Sequence, residues 1–435
     1  GSGAIAEVMQ ELSDLGVVFV TSAGNNGDEN FHLGHAFTNE APDTLKSQIK
    51  FSFENENYWG QSISMTNSPN TPFSFSLKVM DNSLVSITST PFYYTNQGDR
   101  DLDTFLIINQ DTIIYNVNIK ESNSYNGRPE VRLRLKKPVG NKYTFALFVT
   151  AESGDFHAWN LAELTNDVGN WGGDFYAPTL FPEWANGDPQ YGIGTPANVD
   201  CAISIAAHHS RYQTPSGNWT GGQIANFSSY GPTIDGRQKP EISAPGNNVI
   251  SALSSYTTTY SGMFSKTVTF NDRSYRFVPL SGTSMSSPFV AGVVALILQA
   301  NPYLSSAQVK EILITTAYQD SFTEQVGPER FGYGKINAHQ AVFKALHTVG
   351  VEDHSIAESK YTLFPIPAQH ILYVTIESND PHITSEIFDI SGKLVTKQNL
   401  KPGVNQINIQ TYPTGCYFIK ITDKKNVTMK KLIKN

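Results

Sequence analysis

The chain has almost no cysteine: Cys201 and Cys416 are the two in 435 residues. So few, so far apart, exclude a disulfide framework as the stabilising device, and each reads as a small buried residue in a domain of its own. Long apolar runs are also missing. None reaches the roughly 18 residues that a bilayer span requires, and the longest, within 281–297, is interrupted by Gly292. No membrane span is expected. Charge is scarce, at 16% of residues, and the net −8 is unevenly placed. Residues 360–435 hold ten Lys against five Asp plus Glu, a surplus of +5, which leaves −13 on the rest. An acidic body argues against a nucleic-acid partner, and the Lys-rich end reads as a solvated face. Acidic loops with regular metal-ligand spacing are absent, so no metal site stands out. An initiating Met is absent as well, and the true N-terminus is expected to lie upstream of Gly1.

What is present suits two or three domains. Residues 4–15 carry Ile5, Val8, Met9 and Leu12 at helical spacing, with Ser2 as N-cap and Gly16 as the stop. The apolar run Val17–Val20 follows as a strand. Helix then buried strand is the grammar of a parallel α/β sheet. From about 43 to 155 the pattern changes to alternating or apolar strands, at 73–79, 104–109, 112–119, 131–135 and 143–149, separated by turn residues. That pattern predicts an inserted all-β jelly roll or sandwich. Residues 156–195 read as irregular. The α/β grammar resumes with strands at 202–207 and 249–252 and helices at 285–300, 306–317 and 337–348; Ser305 and Gln308 form a capping box. Residues 349–359 read as a linker, and 360–435 as a small β-sandwich with strands at 371–376, 385–389, 406–409 and 416–421.

The chemistry concentrates at two places. In Ser281-Gly-Thr-Ser-Met-Ser-Ser-Pro288, small hydroxylated residues run into an apolar helix, with Pro288 expected in its first turn. Ser284 then stands at a helix N-terminus, where unsatisfied N–H groups and the macrodipole favour an alkoxide or an oxyanion. The same residues would also describe a serine that merely caps a helix. Asn25 ends a buried parallel strand, where ligands of such sheets bind, and its amide N–H₂ can act as an oxyanion donor. A plain Asn-Gly turn is the alternative.

Together these segments resemble the subtilisin-like serine peptidases. Gly282-Thr-Ser-Met-Ser-Ser-Pro288 is similar to that family's nucleophile motif and Ser22-Ala-Gly-Asn25 to its oxyanion strand end. Phe227-Ser-Ser-Tyr-Gly-Pro232, Lys239-Pro-Glu-Ile-Ser-Ala-Pro-Gly246 and Gly332-Tyr-Gly-Lys-Ile-Asn-Ala338 resemble further family segments in the family's order. Ser286 departs, where the family has Ala. The resemblance covers 1–42 and 165–348, with 43–164 as the insertion. It implies a serine endopeptidase acting on protein or peptide substrates. Ser284 would be the nucleophile, Asn25 and the backbone N–H of Ser284 the oxyanion hole, Thr283 its support, and Ser22, Ala23 and Gly24 a wall of the substrate pocket. No cofactor is implied; structural Ca²⁺ is common in the family, without a site that can be placed here.

A serine needs a base. The family's order is Asp, His, Ser, with the His in a His-Gly-Thr motif before the Asn strand. None of the ten histidines is followed by Gly. His32 and His35 come after Asn25, and His208-His209 read as surface residues at a strand end. The expectation is that Asp and His lie on a missing N-terminal segment, and that this chain alone is inactive. A fold that has lost its base and binds or scaffolds is the other reading.

The insertion resembles the jelly roll of some clostridial and Bacteroides-type subtilases. Leu363-Phe-Pro-Ile-Pro367, Phe388-Asp-Ile-Ser-Gly-Lys393, Pro413-Thr-Gly-Cys-Tyr-Phe-Ile419 and Lys430-Lys-Leu-Ile-Lys434 resemble the C-terminal sorting domain of the Bacteroidetes type IX secretion system. That implies the secretion machinery as a partner of 360–435, and a secreted or cell-surface product. The alternative is another small β module such as a carbohydrate binder, whose usual row of aromatics is not evident in the sequence.

Overall fold

A computed structural model describes residues 3–38, 43–51, 60–136, 142–163, 170–257, 260, 262, 265–348, 361–377, 382–423 and 427–435. Ser2 and the linker 349–359 lie outside them, as do parts of the expected boundaries at 42 and 164. The chain divides into two compact units, one of 1–10 with 18–347 and one of 11–17 with 348–435.

The first unit holds a three-stranded parallel sheet, ordered β1 (Val20–Ser22), Ile203–His209, Ile242–Asn247. β1 begins where the expected strand 17–20 ends. Helix α1 (Ala4–Asp14) precedes it. Helices α2 (Thr283–Ala300), α3 (Ser306–Thr315) and Ala338–His347 follow. Val290, Val293, Val294 and Ile297 recur at helical spacing and bury against Ile203, Ile205 and Ile242. Each such side chain contributes about 1.5–3 kcal/mol. The capping box of Ser305 and Gln308 is formed, with Gln308 N donating to Ser305 Oγ at 3.2 Å.

α2 is 18 residues long and, by length and mean hydropathy alone, could cross a membrane. That is more than its interrupted apolar run suggests; its buried stripe and its place on the sheet are those of a core helix. It is not buried all round: Phe289 and Leu296 are 48% and 49% exposed. On α1, Ile5 and Val8 are likewise exposed.

Between β1 and the strand Ile203–His209 the chain builds two antiparallel sheets that share one apolar core, including Ile63, Phe75, Val117, Leu133, Leu147 and Phe156. One sheet is ordered Asn170–Trp171, Gly154–Glu163, Gly60–Thr66, Glu130–Lys136, Asp111–Lys120, Arg100–Ile108, with His32–Phe37 also paired to Gly154–Glu163. The other is ordered Phe175–Tyr176, Leu45–Ile49, Thr144–Ala151, Phe73–Met80, Ser86–Ser89, with Tyr93–Tyr94 paired to Phe73–Met80. The five expected strands are present. Gly154–Glu163 falls mostly in the span read as irregular, and its pairing to His32–Phe37 carries the sheets outside 43–164. The segment Val249–Ala252 is a strand as expected, though it pairs antiparallel with Arg273–Leu280 rather than joining the parallel sheet.

In the second unit, sheets of three and four strands enclose Tyr361, Leu372, Val374, Ile387, Ile419 and Leu432. Cys201 and Cys416 are each half-buried rather than fully buried.

His208 corrects its sequence reading. It is buried, and its Nδ1 lies 3.1 Å from Ser243 Oγ. Burial, reinforced by Lys335, pushes its pKa down to about 3 from 6.5. Burial and neighbouring His32 push His157 down to about 4. The folded state therefore binds these protons more weakly than the unfolded chain, so stability holds above about pH 6.5 and is lost as pH falls towards the folded values. For His208 the loss is about 5 kcal/mol when complete. His208→Asn should flatten the fall in urea midpoint between pH 7 and 4. An unchanged slope would mean that His208 is not a source of the acid sensitivity.

Candidate active site

β1 ends at Ser22, opposite Ile205, and Asn25 lies three residues beyond it. Its side chain performs a task that α2 cannot perform for itself. The N-cap of α2 is Gly282, which has no side chain to offer. Asn25 Oδ1 accepts instead, from Thr283 N at 2.9 Å and from Thr283 Oγ1 at 2.9 Å. Thr283 Oγ1 in turn accepts from Gly24 N at 3.2 Å. Thr283 is buried, whereas Asn25 itself is exposed. Two donors on one amide atom identify it as the oxygen. The nitrogen, Nδ2, is left facing away without a protein partner among the described residues.

Nδ2 lies beside the space over Gly282, as does Oδ1 of the same amide, 3.8 Å from where a Cβ would be. That glycine has φ +151°, and a Cβ there would sit 3.4 Å from Asn25 Nδ2 and 3.7 Å from Ser284 N. Ser284 N is an unpaired first-turn donor of α2. Two N–H donors thus converge on a spot kept open by a missing side chain. Ser284 is exposed, is the second residue of α2 and makes no cap bond. The reading of Ser284 as a mere N-cap is therefore excluded. Pro288 is the sixth helical residue, not a first-turn one. Having no N–H, it cannot bond the carbonyl of Ser284 four residues back. Ser284 Oγ has no hydrogen-bond partner among the described residues.

The departure at Ser286 is accommodated. Its buried hydroxyl donates to Ala244 O at 3.1 Å, so the extra polar atom is satisfied. Of the expected pocket wall, Ser22 and Gly24 are half-buried, whereas Ala23 is buried against Ile193 and Ala197.

The supporting loop was legible as a motif but not in its function. Ser229 Oγ accepts from Asn26 N at 2.9 Å, and Ser229 N donates to Gly24 O at 2.9 Å. Gly27 N donates to Phe227 O at 2.8 Å, and a Cβ on Gly27 would sit 2.1 Å from Ser228 O. Arg330 clamps this loop, with Nη2 donating to Asn226 O at 2.9 Å and the guanidinium 4.5 Å from the Tyr230 ring centre. Burial pushes that guanidinium below its ordinary value. No sequence signal marked Arg330, because its partners are backbone carbonyls.

Behind Gly24 stands a chain of titratable groups. Asp188 Oδ1 lies 2.9 Å from His32 Nδ1, and His32 Nε2 lies 3.0 Å from His157 Nδ1. Tyr191 packs on both rings, and the next residue, Gly192, has its carbonyl 3.4 Å from where a Gly24 Cβ would be. His32 is therefore committed to Asp188 and His157.

Parts of the chain resemble known proteins. The family described as "Subtilase family" matches residues 152–334, and the "Secretion system C-terminal sorting domain" matches 362–435. Serine protease AprX of Bacillus subtilis is 35% identical over 150 residues, which are 34% of this chain and 31% of AprX. Subtilisin-like protease SBT3.7 of Arabidopsis thaliana is 34% identical over 156 residues, 33% of this chain and 18% of that protein. The chain thus spans less than a third of the length of these curated relatives. The structure of the Clostridium perfringens CspB protease covers 80% of this chain and 64% of its own, with a TM-score of 0.54 and 20% identity, a likeness of fold. The chain carries a subtilase-family domain followed by a secretion system C-terminal sorting domain.

Proposed function

We propose that this chain is the C-terminal portion of a secreted serine endopeptidase. The observation that carries the reading is the locked amide of Asn25, whose Nδ2 shares one open spot with Ser284 N. Ser284 Oγ attacks a peptide carbonyl carbon, and the carbonyl oxygen becomes an anion held by those two donors. A base takes the Ser284 proton and returns it to the departing amine, leaving an acyl-enzyme that water then hydrolyses. The base and its Asp belong to an N-terminal segment that packs on the free side of β1, where the exposed faces of α1 and α2 offer it apolar surface.

In this reading 1–42 and 165–348 form the peptidase portion, 349–359 a linker and 360–435 the sorting domain, which directs the protein through the Bacteroidetes outer membrane. The insertion, 43–164, is a jelly roll that braces the site. Its strand Gly154–Glu163 pairs with His32–Phe37 of the peptidase portion, and His157 and His32 on them back Tyr191 and so the wall at Gly24. Ser22, Ala23 and Gly24 form that wall, and Thr283 is the positioning residue behind Asn25.

One observation favours a second reading, a non-catalytic binding protein: Ser284 Oγ has no base among the described residues. A fluorophosphonate probe separates the two. The full-length gene product should label, and its Ser284→Ala variant should not. Absence of labelling in both would favour the binding protein, and equal labelling would place the reactive serine elsewhere.

A further inference from the structure

Beyond the carboxyl end of the strand Ile203–His209 the chain forms a short hairpin, Tyr212–Gln213 with Trp219–Thr220. Together with residues 318–322 it encloses a cleft of about 480 Å³, lined by Arg211, Trp219, Gln223, Tyr318, Asp320 and Phe322 among others. None of these residues belongs to the site around Asn25 and Ser284. The walls present aromatic surface to solvent, Trp219 being 62% exposed and Tyr318 49%.

The charges in the cleft are not balanced. Asp320 is fully committed: Oδ2 accepts from Lys335 Nζ at 2.7 Å, and Oδ1 accepts from Phe322 N at 3.1 Å and Thr323 N at 3.2 Å. Arg211 has no carboxylate or carbonyl partner among the described residues. Its guanidinium lies 5.4 Å from the centre of the Trp219 ring. An arginine laid over an indole engages its π face and keeps its in-plane N–H fork for an acceptor. The cleft therefore offers one uncommitted cation between aromatic surfaces, and its complement is a carboxylate carried on a flexible, partly apolar chain.

The hairpin's foot is tied to the loop before Ser284. His209 lies 2.9 Å through Nε2 from Asn247 Nδ2, Ser281 Oγ donates to Asn247 Oδ1 at 2.7 Å, and Gly282 N donates to Gly246 O at 2.8 Å. A polypeptide lying across this end of the sheet would meet both places.

We infer that the cleft is a secondary binding site for acidic polypeptide segments, with a Glu or Asp side chain on Arg211 and its neighbours against Trp219 and Tyr318. That the polypeptide is a substrate rests on the peptidase reading; the binding itself does not.

The test needs no catalysis. The full-length protein, carrying Ser284→Ala so that no peptide is cleaved, is titrated into two fluorescein-labelled peptides, one of alternating glutamate and tyrosine and one with glutamine in place of glutamate, and anisotropy is followed. The glutamate peptide should bind about 10-fold tighter or better, and added salt should erase the difference. Arg211→Gln should remove the preference, and Trp219→Ala should weaken both peptides. Both residues are exposed, so thermal midpoints should not move. Lys431→Gln on the Lys-rich domain should change nothing. Equal affinity for the two peptides, no binding of either, or a preference that survives Arg211→Gln and follows Lys431 overturns the inference. So does displacement by a neutral oligosaccharide that is indifferent to Arg211→Gln. Labelling of Ser284 judges the peptidase reading separately.

Discussion

Asn25→Leu in the full-length protein should lower kcat about 10²–10³-fold with little change in KM. That magnitude is the known cost of removing the side-chain donor of a subtilisin itself. The geometry here adds a graded series. Leucine removes Nδ2 and also removes the acceptor that caps α2 at Thr283 N, so some loss of stability should accompany the loss of rate. Thr283→Val keeps Nδ2 but withdraws one of the two donors that fix the amide, and leaves Gly24 N without its acceptor. Its kcat should fall less than that of Asn25→Leu. Gly282→Ala leaves every partner in place and puts a methyl into the open spot, 3.4 Å from Nδ2, at a φ that disfavours any side chain. A transition-state donor reveals itself by a loss in kcat rather than in KM. If Asn25→Leu chiefly raised KM, Asn25 would be holding substrate and not an oxyanion, and the assignment would be lost.

The sequence singled out these residues because they lie in two short segments. Ser284, Thr283 and Gly282 are consecutive, and Asn25 lies three residues past β1, between Gly24 and Gly27. The lock between them could not be read, since Thr283 and Asn25 are 258 residues apart. Long-range partners explain most of the other differences. Gly154–Glu163 reads as irregular because the side chains of Trp159 and Asn160 donate to loop carbonyls, Tyr191 O and Lys50 O, and those polar contacts break the alternation. His208 reads as a strand-end surface residue because nothing nearby in sequence announces Ser243, whose Oγ meets its Nδ1 and donates to Gly334 O. Pro288 was placed in the first turn by the ordinary preference of proline. The actual start of α2 is set earlier, by an amide from another segment that satisfies Thr283 N.

The segment Lys239-Pro-Glu241 shows how a motif can hide a structural role. Lys239 and Glu241 are 1% and 2% exposed, with Lys239 Nζ 2.7 Å from Glu241 Oε1. Burial works to lower the Lys239 pKa against the pull of Glu241. A buried pair is often replaceable by apolar residues at no cost. This one should not be, because it also serves the backbone. Lys239 Nζ donates to Val199 O at 3.0 Å and Ala202 O at 2.7 Å, and Glu241 Oε2 accepts from Ser204 N at 2.7 Å. Those groups sit where the strand Ile203–His209 begins. Lys310 Nζ, on α3, reaches Glu241 Oε1 at 2.7 Å and so ties that helix to the sheet. Glu241→Ala should therefore destabilise the unit by about 3–5 kcal/mol, because it strands a buried ammonium and a buried N–H. Lys310→Met, at the exposed end, should cost far less. The paired change Lys239→Met with Glu241→Leu tests the argument by urea unfolding. If the ion pair alone mattered, the double variant would recover most of the stability. With Ala202 O and Ser204 N left unpaired, and Val199 O keeping only its bond from Ala202 N, it should remain close to Glu241→Ala.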